Sequence, residues 1–170
     1  SGQMNMARKV VKTPVSLIDV FPTILDSFDL NNVADTLGRS LFEVAKEKDN
    51  DKRLVLSEYH GAGSDSGAFM LKDGLYKYIH YVDCEPEFYN LEEDPEELNN
   101  LANQNDYQDI LTYYKEQLYS KLDPKSVNAE ALADQADLIK RNGGVEKVLE
   151  RGGLSGTPVP DGQSTRFDLK

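Results

Sequence analysis

The sequence predicts an α+β protein in which helices pack against a four-stranded antiparallel sheet. Two observations carry that reading. Residues 53–91 contain four β-branched or aromatic runs, "RLVLSEY" (53–59), "GAFMLKD" (67–73), "LYKYIHYV" (75–82) and "EFYNL" (87–91). The turns between them are too short for parallel crossovers, which need about a dozen residues or more, so the runs form an antiparallel meander. From residue 94 onward the spacing of apolar residues becomes helical.

Taken in order, "VVKTPVSL" (10–17) is β-branched and interrupted by Pro14, which predicts a short edge strand. In "DVFPTILDSF" (19–28), Phe21, Ile24, Leu25 and Phe28 share one helical face. Asp19 is placed to cap that helix, and Pro22 is tolerated because it falls in the first turn. Residues 29–52 read as a polar connector with a short helical patch near 41–45. Within the sheet, "KDG" (72–74) predicts a hairpin turn, with Gly74 free to take positive φ.

"DPEELNNLA" (94–102) predicts a helix with Asp94 as cap, Pro95 at the first helical position and Glu97 closing a capping box. Over 105–122, Tyr107, Ile110, Leu111, Tyr114 and Leu118 form a stripe suited to lying across a sheet. A further helix over 123–144 starts at another Asp-Pro pair and ends at Gly143, with a short one following it. Residues 154–170 show no periodicity and are expected to be an extended arm.

Composition bounds the partners. The 170 residues are 39% hydrophobic, enough for a core, with no apolar run near the roughly 18–20 residues that a spanning helix needs. A net charge of −11, from 30 acidic against 19 basic residues, repels phosphate backbones and anionic lipid, so neither nucleic acid nor membrane is expected as a partner. Cys84 stands alone and cannot form an internal disulfide, which fits a reducing compartment and favours the cytoplasm. The N-terminal stretch has no apolar block behind its basic residues, so it reads as a chain entered in mid-stream.

The most chemical stretch is "SEYHGAGS" (57–64). A triad of Ser57 or Ser64 with His60 and Asp65 can be drawn there, but adjacent positions seldom deliver triad geometry. His80, 20 residues on, is too distant in sequence to complete a metal site by spacing. The plain reading is a histidine at a strand end bonded to a turn. The loop's glycines, with Ser64 and Ser66, could offer amides to an anion, although a flexible hairpin connection explains them as well. Lys72 and Lys77 are the nearest cations. Tyr76, Tyr78, Tyr81 and Tyr89 read as sheet packing, or as cleft aromatics able to receive a quaternary ammonium group. Cys84 lies among acidic neighbours that would raise a thiol's pKa, so it is not read as a nucleophile.

Four segments in order resemble the C-terminal region of sulfatases, in the alkaline phosphatase superfamily. They are "TPVSLIDVFPTILDSF" with "GRSL" (38–41), "FMLKDGLYKYIHY", and the most specific, "EFYNLEEDPEELNNLA". The stretch from Ala131 to Gly162, with "SEYHGAGS", resembles the choline-sulfatase-like branch more than the arylsulfatases. The resemblance implies the C-terminal subdomain of the alkaline-phosphatase-like sulfatase fold. Residues 1–52 would end the large domain, 53–153 would form the C-terminal sheet and helices, and 154–170 the arm.

The resemblance also implies a formylglycine nucleophile and a divalent metal, calcium, in the intact enzyme. The Cys/Ser-x-Pro/Ala-x-Arg motif that yields the formylglycine is absent here, so no catalytic or metal residue is expected in this chain. Implied partners are a small sulfate ester, an N-terminal catalytic portion, and a second copy held through the arm. His60, Glu58, Ser64 and Lys72 are the substrate-binding candidates. A phosphonate or phosphate ester hydrolase of the same superfamily, or a non-catalytic assembly module, are the alternative functions.

Overall fold

In the computed structural model, residues 9–30, 36–61, 64 and 66–150 are described; the predicted arm 154–170 lies outside them. The chain divides into two compact units, residues 1–128 and 129–170. In the first, a 3-10 turn (Leu17–Asp19) leads into α1 (Val20–Ser27), and α2 (Leu41–Lys46) follows. Then come strands β1 (Val55–Tyr59), β2 (Ala68–Lys72), β3 (Tyr76–Tyr81) and β4 (Glu87–Asn90), a 3-10 turn at Asn105–Tyr107, and α3 (Gln108–Tyr119). Helix α4 (Pro124–Arg141) begins in this unit, and α5 (Val145–Glu150) lies in the second.

The four strands pair antiparallel in the order β1-β2-β3-β4, as the short turns dictate. Register sorts their side chains. Leu56 pairs with Leu71, Leu71 with Tyr78 and Tyr78 with Phe88, so one row of one face is apolar across all four strands. Tyr114 and Leu118 of α3 complete a core with Phe69, Val82 and Ala102. Phe88 stacks on Tyr76 at 5.2 Å and meets Tyr114 at 5.5 Å, the offset and tilted contacts that aromatic rings prefer. The stripe expected on the third helix is therefore the one that is buried.

Helix α4 ends in a Schellman motif. Gly143 and Gly144 both have positive φ (93° and 91°), and their amides bond to the carbonyls of Lys140 (3.1 Å) and Ile139 (3.0 Å). The expected C-cap at Gly143 is thus found.

Several local expectations are corrected. Residues 10–16 form no strand; Thr13 Oγ1 accepts from the Asn50 amide (2.8 Å) and the Pro14 carbonyl accepts from Arg53 (3.0 Å). Those groups find partners in the segment leading into β1 rather than in a ladder. Residues 94–102 form turns, not a helix. The Asp94 carboxylate accepts from the amides of Leu98 and Asn99, further along than a cap reaches. Glu97 sits at φ 59° with its side chain on Lys77 (2.6 Å), and Asn100 accepts from the Phe88 amide, which draws the segment along β4. Gly74 does not have positive φ; its amide bonds to the Asp51 carbonyl at 2.6 Å, and a Cβ there would lie 2.8 Å from that oxygen. Its role is close approach.

The largest departure is α1. Its expected apolar face is exposed: Phe21 and Ile24 are each 50% exposed and Phe28 is 70% exposed. The face turned inward is polar. Asp19, Thr23 and Asp26, spaced four and three residues apart, bond to Arg53, the Leu41 amide and Ser40 Oγ.

Leu118 is fully buried and Leu132 of the second unit is half exposed. Leu118→Ala is expected to lower stability by about 2–5 kcal/mol in urea unfolding. Leu132→Ala should change it by no more than about 0.5 kcal/mol.

Candidate functional site

The alternation of a strand places Glu58 on the same side of the sheet as His60, two residues on. His60 Nε2 lies 3.5 Å from Glu58 Oε2, with the two side chains 22% and 37% exposed. In β2, Phe69 pairs with Glu58 and presents its ring edge-on to His60 at 5.3 Å and 78°. The two candidates are thus brought together at the rim of the core, with the Glu58 carboxylate partly exposed and both ring nitrogens of His60 turned away from solvent.

The other two candidates are not drawn into this pair. The Ser64 hydroxyl donates to the Ser66 carbonyl and its amide to Gly61, so both groups serve the loop's own turn. Lys72 pairs with Val55 and Lys77 and points away from the face that carries Leu71, so the sheet separates it from Glu58. The tyrosines divide similarly. Tyr78 is buried, and burial pushes its phenol up to about 12. Tyr89 on the other face is pushed up to about 12 by burial and by Glu87 beside it. Both phenols stay protonated at neutral pH, so neither serves as a base.

Glu58 also borders a cavity of about 880 Å³. Its walls are mostly apolar, with Leu54 just before β1, Leu56 within it, Leu122 and Val127 after α3, and Ile18 and Leu37. Arg53 lines it as well, and this residue was not singled out in the sequence. Its guanidinium grips the fully buried Asp19 through two bonds of 2.8 Å. The same carboxylate accepts the amides of Arg39 (2.8 Å) and Ser16 (2.9 Å). Burial alone would raise the Asp19 pKa; the Arg53 bond and the two amides outweigh it and hold the carboxyl below its ordinary 3.8. The capping role expected of Asp19 is corrected accordingly. The signal in the sequence was the polar spacing of Asp19, Thr23 and Asp26 opposite the apolar stripe.

Among the described residues, no group of three or more His, Cys, Asp or Glu is placed to hold a metal ion. The acidic group with the best-built surroundings, Asp19, is committed to Arg53 and two amides. The donor set does not fit a divalent metal, and the chain offers no formylglycine precursor motif.

A family model described as "N-sulphoglucosamine sulphohydrolase, C-terminal" matches residues 3–124. The chain belongs to this family and forms the C-terminal region of a sulfatase of the alkaline phosphatase superfamily. It is 32% identical over 130 residues to arylsulfatase K of Rattus norvegicus, a match that covers 70% of this chain and 23% of that protein. It is similar to the solved structure of a 2-O GAG sulfatase, with a TM-score of 0.53, 30% identity, and coverage of 61% of this chain and 23% of that one. It also shares its fold with a protein solved in complex with its substrate D-glucosamine-2-N,6-O-disulfate, with a TM-score of 0.50, 24% identity, and coverage of 62% and 24%. The chain thus spans about a quarter of the length of these relatives. The sulfatase resemblance and the antiparallel α+β fold expected from the sequence are both found; the comparisons reach the family and not its choline-type branch.

Two predictions follow from the buried charges. Arg53→Ala strands the Asp19 carboxylate and should cost about 3–5 kcal/mol in chemical unfolding at neutral pH. Because the Asp19 pKa is lowered in the fold, its contribution is present above 3.8 and lost as pH falls through the folded value, so the variant should lack that acid-dependent loss.

His80 has the opposite character. Its Nδ1 lies 3.3 Å from the Tyr78 hydroxyl, its ring packs against Tyr119, and its buried Nε2 has no hydrogen-bond partner among the described residues. Burial, then Lys115 and Lys125, push its pKa below 6.5. Between the folded value and 6.5 the unfolded chain binds more protons, so stability should fall as pH drops below 6.5. His80→Gln should flatten that fall in unfolding curves measured either side of 6.5.

Proposed function

We propose that this chain is the C-terminal part of a sulfuric ester hydrolase, and that the end of β1 borders the active-site cleft of the longer enzyme. The observation that carries this is Glu58, partly exposed at the edge of an apolar cavity and backed by His60 at 3.5 Å. The carboxylate, oriented by the imidazole behind it, can hydrogen-bond the organic group of a small sulfate ester while the apolar wall excludes water. The 2-O GAG sulfatase among the similar structures favours a sulfated sugar as that group. Formylglycine and a divalent metal such as calcium would be supplied by the catalytic portion; the precursor motif is absent from this sequence, and no group among the described residues suits a metal.

The inverted helix α1 supports the same reading. An apolar stripe of Leu17, Phe21, Ile24 and Phe28 facing outward fits a surface covered by the rest of a longer polypeptide, such as the relatives of which the match covers 23%. Residues 9–52 would then belong structurally to the large domain, and the sheet from β1 onward to the C-terminal subdomain.

Two measurements test this. In the longer enzyme, Glu58→Gln and His60→Ala should each lower kcat/KM on its sulfate ester by about tenfold, the worth of one charge-assisted contact, with melting unchanged. Unaltered turnover in both would sink the cleft assignment. The purified 170-residue chain should release no sulfate from any ester; turnover by it would overturn the partial-enzyme reading.

A further inference from the structure

We propose that Gly67 and Asn128 are positioning residues that fix the His60 ring, an inference that rests on Glu58 and His60 forming the cleft edge. Gly67 precedes β2 and is buried. Its main chain is held from two sides: its amide donates to Asn128 Oδ1 of α4 (2.7 Å), and its carbonyl accepts from the Val82 amide just after β3 (3.1 Å). This clamped backbone is the wall against which His60 rests. A Cβ at position 67 would lie 2.8 Å from His60 Cε1, 2.9 Å from Nδ1 and 3.1 Å from Asn128 Oδ1, closer than such atoms approach without displacement.

The His60 ring also meets the ring of Phe69, two residues after Gly67, which is fully buried and cannot retreat. The imidazole is therefore seated on the Gly67 backbone and against the Phe69 ring, with Nε2 3.5 Å from Glu58. Glycine is required at 67 because it leaves room for the ring, and not for an unusual φ. Asn128 acts through Gly67: without its oxygen the buried Gly67 amide loses its acceptor, and the wall is free to shift. A site about 1 Å out of place loses its contacts, so such support determines whether the Glu58–His60 pair is usable.

The chain has two histidines, so each imidazole can be followed separately by NMR in the 170-residue protein. Gly67→Ala and Asn128→Ala should each abolish the nuclear Overhauser contact between the His60 and Phe69 rings. The contact between His80 and Tyr119 should persist as the internal control for folding. Asn128→Asp keeps an oxygen acceptor and should restore the His60 contact. A His60–Phe69 contact unchanged in Gly67→Ala overturns the proposal. If that variant also loses the His80 contact, Asn128→Ala decides, and an unmoved His60 there overturns it. The measurement uses no substrate, so a failure of the cleft reading, seen as unaltered turnover in His60→Ala, is distinguishable from a failure of this one.

Discussion

The buried pair of Asp19 and Arg53 joins the two halves of the first unit, and much of the local geometry depends on it. Asp19 ends the 3-10 turn before α1, and Arg53 stands two residues before β1. Their contact fixes where the helical segment meets the edge of the sheet. The same carboxylate takes the Arg39 and Ser16 amides, so three separate stretches converge on one charge. Gly38 is part of this junction, since a side chain there would collide with the Ile18 carbonyl. A buried ion pair adds little net stability over an apolar replacement of equal shape, but losing one partner is costly. Its effect is to specify one arrangement of the segment before the sheet.

The sheet that follows is asymmetric, and the asymmetry sorts the candidate residues. Helix α3 covers the face bearing Leu71, Tyr78 and Phe88, so the residues at that face's rim, Glu58 and His60, sit between core and solvent. The opposite face carries Lys72, Lys77 and Tyr89; Lys77 pairs with Glu97, and Tyr89 lies beside Glu87. Charge on the two faces therefore serves different ends. On one it stands at the edge of an apolar cavity; on the other it ties the turns after β4 back to the sheet.

What could be read from the sequence follows the range of the interactions involved. The strands, their order and the stripe on α3 are written in local periodicity, and all were legible. So was Gly143 as the end of α4, because a C-cap is a local device. The segment 94–102 carried every local sign of a helix start, yet Asn100 and Glu97 bond to β4 and Lys77, and those partners are unseen in a local pattern. Gly74 was recognised as a turn glycine, but its reason lies with Asp51, over 20 positions earlier. At the candidate site, Glu58 and His60 shared a side by strand alternation alone. Gly67 and Asn128 could not be found that way, since their link spans 61 positions and becomes meaningful only once His60 lies between them.

Helix α1 shows how a correct periodicity can still assign the wrong face. Its apolar residues do form one stripe, and an amphipathic helix ordinarily turns that stripe to the nearest core. Here the inward side is occupied by Asp19, Thr23 and Asp26, each satisfied by Arg53, Leu41 or Ser40, so the polar face has the stronger local claim. Rotating the helix to bury Phe21 and Ile24 would break those bonds and leave Arg53 without its carboxylate. A helix fixed in this inverted sense has its apolar stripe available to something outside the unit. Among the described residues the polar face finds its partners and the apolar stripe stays exposed, the pattern expected if, as proposed, the segment is shared with a larger fold.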